Sequence, residues 1–145
     1  MIKLEFTTDI EATREKVWKT LWDDSTYRQW TSVFGEGSYA VSDWKEGSKI
    51  LFISPAGDGM FSTIAKCTPN EYMSFKHLGE MKGGVEQPPD EKKEQWTGSM
   101  ENYTLTQRDT GTKLTVEIDV TDEYASYFKD AFPKALAKVK SISEN

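Results

Sequence analysis

Cysteine and histidine are almost missing from this 145-residue chain, which holds one of each, Cys67 and His77. One thiol forms no internal disulfide and is too few for a structural zinc or iron–sulfur site, and one imidazole offers no repeated nitrogen ligands. No metal and no cofactor are expected. Long apolar runs are lacking too: the longest, Ile50-Leu51-Phe52-Ile53, is far short of the roughly 20 residues that span a bilayer. No membrane span is expected. Positive charge is in deficit, with 18 Lys and Arg against 24 Asp and Glu for a net −6, and no basic block stands out. This disfavours nucleic acid and anionic membrane as partners, since both need a clustered positive surface. Residues 1–6 alternate charge with hydrophobe and show no export-signal stretch, so the cytoplasm is the expected compartment.

What is present is periodicity. The length fits one domain over 1–145. Ile2, Leu4 and Phe6 alternate with polar residues, the pattern of a strand with one buried face. Asp9 or Thr13 then offers a cap for an amphipathic helix carrying Val17, Trp18, Leu21 and Trp22, and a second short helix from Ser25 carries Tyr27 and Trp30. From Ser38 to Val120 the pattern is that of strands, and turn signals assign their registers. Gly57-Asp58, read as a two-residue hairpin loop, sets Phe52 opposite Thr63 and Ile50 opposite Ala65. A loop at Thr68-Pro69-Asn70 sets Phe61 opposite His77, and Thr110-Gly111 sets Tyr103 opposite Ile118 and Glu101 opposite Val120. These registers gather Ile50, Phe52, Phe61, Met73, Phe75 and His77 on one face. Residues 79–95, with Gly83-Gly84 and Pro88-Pro89, read as a long polar loop, either a solvated connection or a lid or contact arm. Asp122 offers a cap for a final helix, which Pro133 should bend.

Glu15-Lys16-Val17-Trp18-Lys19-Thr20-Leu21-Trp22, followed by Tyr27-Arg28-Gln29-Trp30, resembles the opening motif of START-like helix-grip proteins of the SRPBCC superfamily. Gly47-Ser48-Lys49-Ile50-Leu51-Phe52, Tyr72-Met73-Ser74-Phe75-Lys76-His77 and Gly111-Thr112-Lys113-Leu114-Thr115 resemble its later strand motifs, particularly those of the AHSA-type branch named after activators of a heat-shock chaperone ATPase. The resemblance implies an α+β helix-grip fold: a curved antiparallel sheet of about six or seven strands, two short helices after the first strand, and a long C-terminal helix across the sheet. It also implies a cavity between sheet and helix. Superfamily members differ in activity, so fold alone does not choose a function.

The candidate ligand-binding residues on the expected inner face or at its mouth are Trp30, Phe52, Phe61, Phe75, His77, Glu101, Tyr103, Phe128 and Phe132. Aromatic rings suit an apolar pocket, though they equally fill cores. His77 and Glu101 carry more information, because an inward ionisable group must find a partner. His77 is a candidate ligand group or acid/base, or a histidine bonded to a neighbouring hydroxyl. Glu101 is a candidate cavity carboxylate, or a group bonded to Asn102, a lysine or water. In the expected register Cys67 lies about 20 Å from His77, too far for a nucleophile pair. No Gly-x-Ser-x-Gly elbow, phosphate loop or calcium loop occurs. Three functions compete: a carrier or sensor of a small hydrophobic or aromatic molecule, a protein-interaction module resembling the chaperone activators, and a cyclase or dehydratase using the cavity residues.

Overall fold

A computed structural model describes residues 1–88 and 96–145. The chain opens with strand β1 (Ile2–Ile10), then helices α1 (Arg14–Trp22) and α2 (Asp24–Thr31). Strands β2 (Tyr39–Val41), β3 (Lys49–Ile53), β4 (Gly59–Thr68), β5 (Tyr72–Lys82), β6 (Val85–Glu86), β7 (Met100–Arg108) and β8 (Gly111–Val120) follow, and helix α3 (Asp122–Glu144) ends the order. The strands form one curved antiparallel sheet in the order β1-β8-β7-β5-β4-β3-β2, with β6 paired to β5.

Thr13 starts α1, its hydroxyl accepting from the Lys16 amide at 3.2 Å. Asp23 stops α1 in an extended conformation and precedes α2, so one residue makes the bend between the helices. The indole of Trp30 locks that bend by donating to the Leu21 carbonyl at 3.1 Å. Helix α3 runs through Pro133 and packs against β1, α1 and α2. Its far end is tied to the β1–α1 junction: Glu144 accepts from the Glu11 amide at 2.9 Å, Lys140 donates to the Asp9 carbonyl at 2.7 Å, and Lys16 donates to the Asn145 carbonyl. Between helices and sheet lies a core that includes Val17, Leu21, Ile64, Phe75, Val116 and Val139. Burying one such side chain contributes roughly 1.5–3 kcal/mol.

The observed registers correct several expectations. The β3–β4 connection is a three-residue loop, closed by the Ser54 amide donating to Asp58 at 2.8 Å, with Gly57 at φ 85°. Phe52 therefore pairs with Met60, Leu51 with Phe61 and Ile50 with Ser62. The shift from the expected register is odd, so Phe61 and Thr63 move to the outer face, and Ala65 falls unpaired in an irregularity between Ile64 and Lys66. The next turn is displaced by one residue, so that Thr68 pairs with Tyr72 and Asn70 takes φ 69°; the irregularity between Ile64 and Lys66 then brings Ile64 opposite Phe75 and Ser62 opposite His77, and a second one beyond Ser62 sets Phe61 opposite Gly79. The β7–β8 pairing, Tyr103 with Val116 and Glu101 with Ile118, is shifted by two, which preserves the faces. The expected loop over 79–95 is also revised. Strand β5 continues to Lys82, and Gly83-Gly84 makes a tight turn into β6, while residues 89–95 lie outside the described residues.

Candidate functional site

Three neighbouring strands place a chain of polar side chains on the inner face. His77 of β5 stands between Ser62 of β4 and Glu101 of β7: Ser62 Oγ is 2.7 Å from His77 Nδ1, and His77 Nε2 is 3.1 Å from Glu101 Oε1. The other carboxylate oxygen, Oε2, accepts from the Tyr103 hydroxyl at 2.5 Å. Beyond the β5–β7 ladder, backbone bonds hold His77 in place, its amide donating to Ser99 and its carbonyl accepting from Gly98. With Ser62 donating to Nδ1, the ring proton sits on Nε2 and meets the carboxylate; this is the assignment in which every donor finds an acceptor.

The relay is graded in exposure. Ser62 is fully buried, the His77 side chain is 7% exposed, and the Glu101 side chain is 22% exposed. Glu101 is thus where the relay approaches the surface. Burial, then the nearby Glu101 carboxylate, push the Tyr103 phenol well above its ordinary pKa. The same two causes, in the same order, raise Tyr27. Both phenols therefore remain protonated near neutrality, and Tyr103 acts as a donor. Around the relay the Phe52 ring meets His77 at 5.9 Å and Phe75 at 5.1 Å, and Trp22 meets Phe75 at 5.3 Å and Tyr103 at 4.9 Å.

The sequence candidates divide into groups. Phe52, Phe75, His77, Glu101 and Tyr103 come together, with Trp30 behind Tyr103 at 6.3 Å. Phe128 and Phe132 form a second cluster with Phe34, and Phe132 stacks on Phe6 at 5.1 Å. Phe61 does not join either cluster: on the outer face it lies against Gly79 and under the Lys49 ammonium, 5.8 Å from its ring centre. Sequence reasoning missed Ser62, Tyr27 and Trp22 as members of the site. Only the true β4–β5 register reveals Ser62. The helical spacing of Trp22 and Tyr27 marked them as inward, but not as neighbours of Tyr103 and Glu101.

Two open hollows lie elsewhere. One, of about 380 Å³, is lined by Gln29, Ser32, Lys138, Ser141 and Ile142; the other, of about 370 Å³, by Met1, Thr121, Asp122 and Glu123. Among the described residues no three His, Cys, Asp or Glu side chains gather to hold a metal ion, and no helix is long and apolar enough to cross a membrane.

A long C-terminal helix laid across a curved antiparallel sheet, with two short helices after the first strand, defines a helix-grip fold. The chain belongs to the family of Activator of Hsp90 ATPase homolog 1-like proteins, whose model matches residues 11–144. This agrees with the AHSA-type motifs in the sequence. No curated protein matches the chain in sequence. Among solved structures, a Mesorhizobium loti protein is similar at TM-score 0.75 and 16% identity, covering 97% of this chain and 96% of its own. The Aha1 dimer from Colwellia psychrerythraea gives 0.74 and 21%, covering 99% and 97%. An AHSA1-like protein from Aeromonas hydrophila gives 0.71 and 14%, covering 99% and 92%. At these identities the likeness is one of fold. That fold suits a ligand-binding or interaction module in general.

Proposed function

We propose that the chain binds a small hydrophobic or aromatic molecule on the inner face of its sheet, as a carrier or sensor, with Glu101 as the polar anchor. The observation that carries this reading is the Ser62–His77–Glu101–Tyr103 relay, set among aromatic rings and most exposed at its carboxylate. A carboxylate at the edge of an apolar surface selects a ligand with a hydroxyl, amine or amide donor. Phe34, Phe52 and Phe128 are only partly buried, and they are the rings such a ligand meets first. Apolar burial supplies the driving force, about 25 cal/mol per Å² before the costs of association. Ser62 is fully buried and already bonded to His77, which favours a binding role over nucleophilic catalysis.

Tryptophan fluorescence titration with a panel of aromatic alcohols and amines tests the reading. A saturable change is expected in the native protein, with about tenfold weaker binding in Glu101→Gln for ligands that carry a donor. Silence across the panel defeats the proposal. The family match, together with the dimer described for the Colwellia protein, supports a second reading as an interaction module. Light scattering tests its self-associating form, which a monomer at all concentrations removes.

A further inference from the structure

Two local outliers meet beside the proposed site. The first is Trp22, whose indole Nε1 is buried with no hydrogen-bond partner, an arrangement native interiors rarely tolerate. The second is Trp44, which takes φ 63°, the left-handed region that bulky side chains seldom enter. Their rings touch, 5.6 Å apart and tilted by 40°, and Trp44 also faces Tyr27 at 6.5 Å. Trp44 lies between β2 and β3 in a stretch pinned on both sides. Its amide donates to Ser42 Oγ at 3.1 Å, the Lys45 amide donates to Asp43 at 3.0 Å, and the Gly47 amide donates to the Ile64 carbonyl at 2.7 Å.

We propose that Trp22 Nε1 is a ligand-binding donor and Trp44 the movable cover over it, so that the site takes a flat aromatic molecule bearing a carbonyl-type acceptor. The inference rests on the small-molecule reading above and adds the ligand's second polar group. Covering an unpaired indole N–H excludes the water that would satisfy it, and the cover itself is held in a disfavoured backbone state. A bound acceptor offsets the first cost, and a backbone movement at Trp44 that carries its ring aside relieves the second. Trp22 also stands next to the carboxylate anchor through a shared neighbour, since the Tyr103 ring packs against Trp22 while its hydroxyl donates to Glu101. The preferred ligand thus presents a donor to Glu101 and an acceptor to Trp22.

A matched pair of probes tests this: acetylnaphthol carries both groups, and ethylnaphthol keeps the donor but has no carbonyl. The native protein is expected to bind acetylnaphthol about tenfold more tightly, and Trp22→Phe to abolish that preference, so that the two probes bind this variant equally, whatever their common affinity. Trp44→Gly, which accommodates the positive φ without a ring, is expected to speed association of both probes several-fold. Should Trp22→Phe fold poorly, the Trp22 indole resonance in nitrogen-15 NMR of the native protein decides, moving downfield with acetylnaphthol and staying put with ethylnaphthol. Binding of both probes with equal affinity, or a preference that survives Trp22→Phe, overturns the assignment of Trp22 while leaving the small-molecule reading intact. Equal association rates with and without Trp44 overturn the cover. Failure of both probes to bind any variant overturns the small-molecule reading itself.

Discussion

His77 Nε2 lies 3.1 Å from Glu101 Oε1 across two paired strands, in a chain with a single histidine. The contact joins a nearly buried ring to a partly exposed carboxylate, and Ser62 and Tyr103 occupy the remaining ring nitrogen and carboxylate oxygen. Such a network is stabilising only while complete, because each member removed leaves a neighbour unpaired in an apolar setting. His77→Ala is therefore expected to destabilise the fold by about 2–4 kcal/mol, combining a small cavity with the unpaired Ser62 hydroxyl and the unpaired Oε1 of Glu101. Urea denaturation measures this. A loss below about 0.5 kcal/mol, the level of an ordinary surface change, contradicts the network.

Tyr103 and Tyr27 give the fold an alkaline limit. Their folded pKa values are raised above 10.0, chiefly by burial and then by Glu101. A raised pKa means that the neutral phenol is favoured in the folded state. The contribution is fully present below pH 10, and it is lost as pH climbs further because the unfolded phenols then ionise more readily. Denaturant titrations across this range should show stability falling as pH rises, with a shallower slope in Tyr103→Phe. An unchanged slope in that variant places the alkaline limit elsewhere.

At the acid end the relevant group is Glu144. The Glu11 amide and then Lys140 hold its carboxyl below the usual pKa of 4.5. A depressed pKa stabilises the ionised form, so the benefit is present above pH 4.5 and disappears as pH falls through the folded value. Glu144→Gln is expected to flatten this part of the stability profile and to speed hydrogen exchange at the Glu11 amide. Unaltered exchange there rules out the tie between α3 and the β1–α1 junction.

How much of this was readable in advance differs from strand to strand. Along β5, alternation alone turns Met73, Phe75 and His77 inward, whatever lies opposite, and the structure keeps them there. The β7–β8 turn was misplaced by one residue, but an error of one residue in a turn moves the register by two, so Glu101 and Tyr103 kept their face. Phe61 had no such protection. Its placement rested on the loop at Gly57, and a two-residue reading of a three-residue loop displaced the pairing by an odd number. Ser62 was illegible for a related reason: a strand serine looks outward-facing, and only the irregularity between Ile64 and Lys66, together with the true turns, brings it to His77. Gly83-Gly84 read as loop because glycine pairs punctuate loops, yet positive φ at both residues, 56° and 82°, suits a hairpin turn equally well.

The outer-face position of Phe61 has its own test through Gly79, its partner on β5. A methyl group added at Gly79 would stand 2.3 Å from the tip of the Phe61 ring, so the ring would have to move. Gly79→Ala is expected to cost about 1–3 kcal/mol through this overpacking. In a Phe61→Ala background the obstacle is gone, and the same substitution should become nearly neutral, giving a coupling energy of about 1 kcal/mol or more in a double-mutant cycle. Phe61→Ala should also leave ligand titrations unchanged, whereas Phe52→Ala, on the inner face beside His77, should weaken them. Additive effects at Gly79 and Phe61 would separate the two side chains. Loss of ligand binding on truncating Phe61 would return that ring to the inner face, where the register does not allow it.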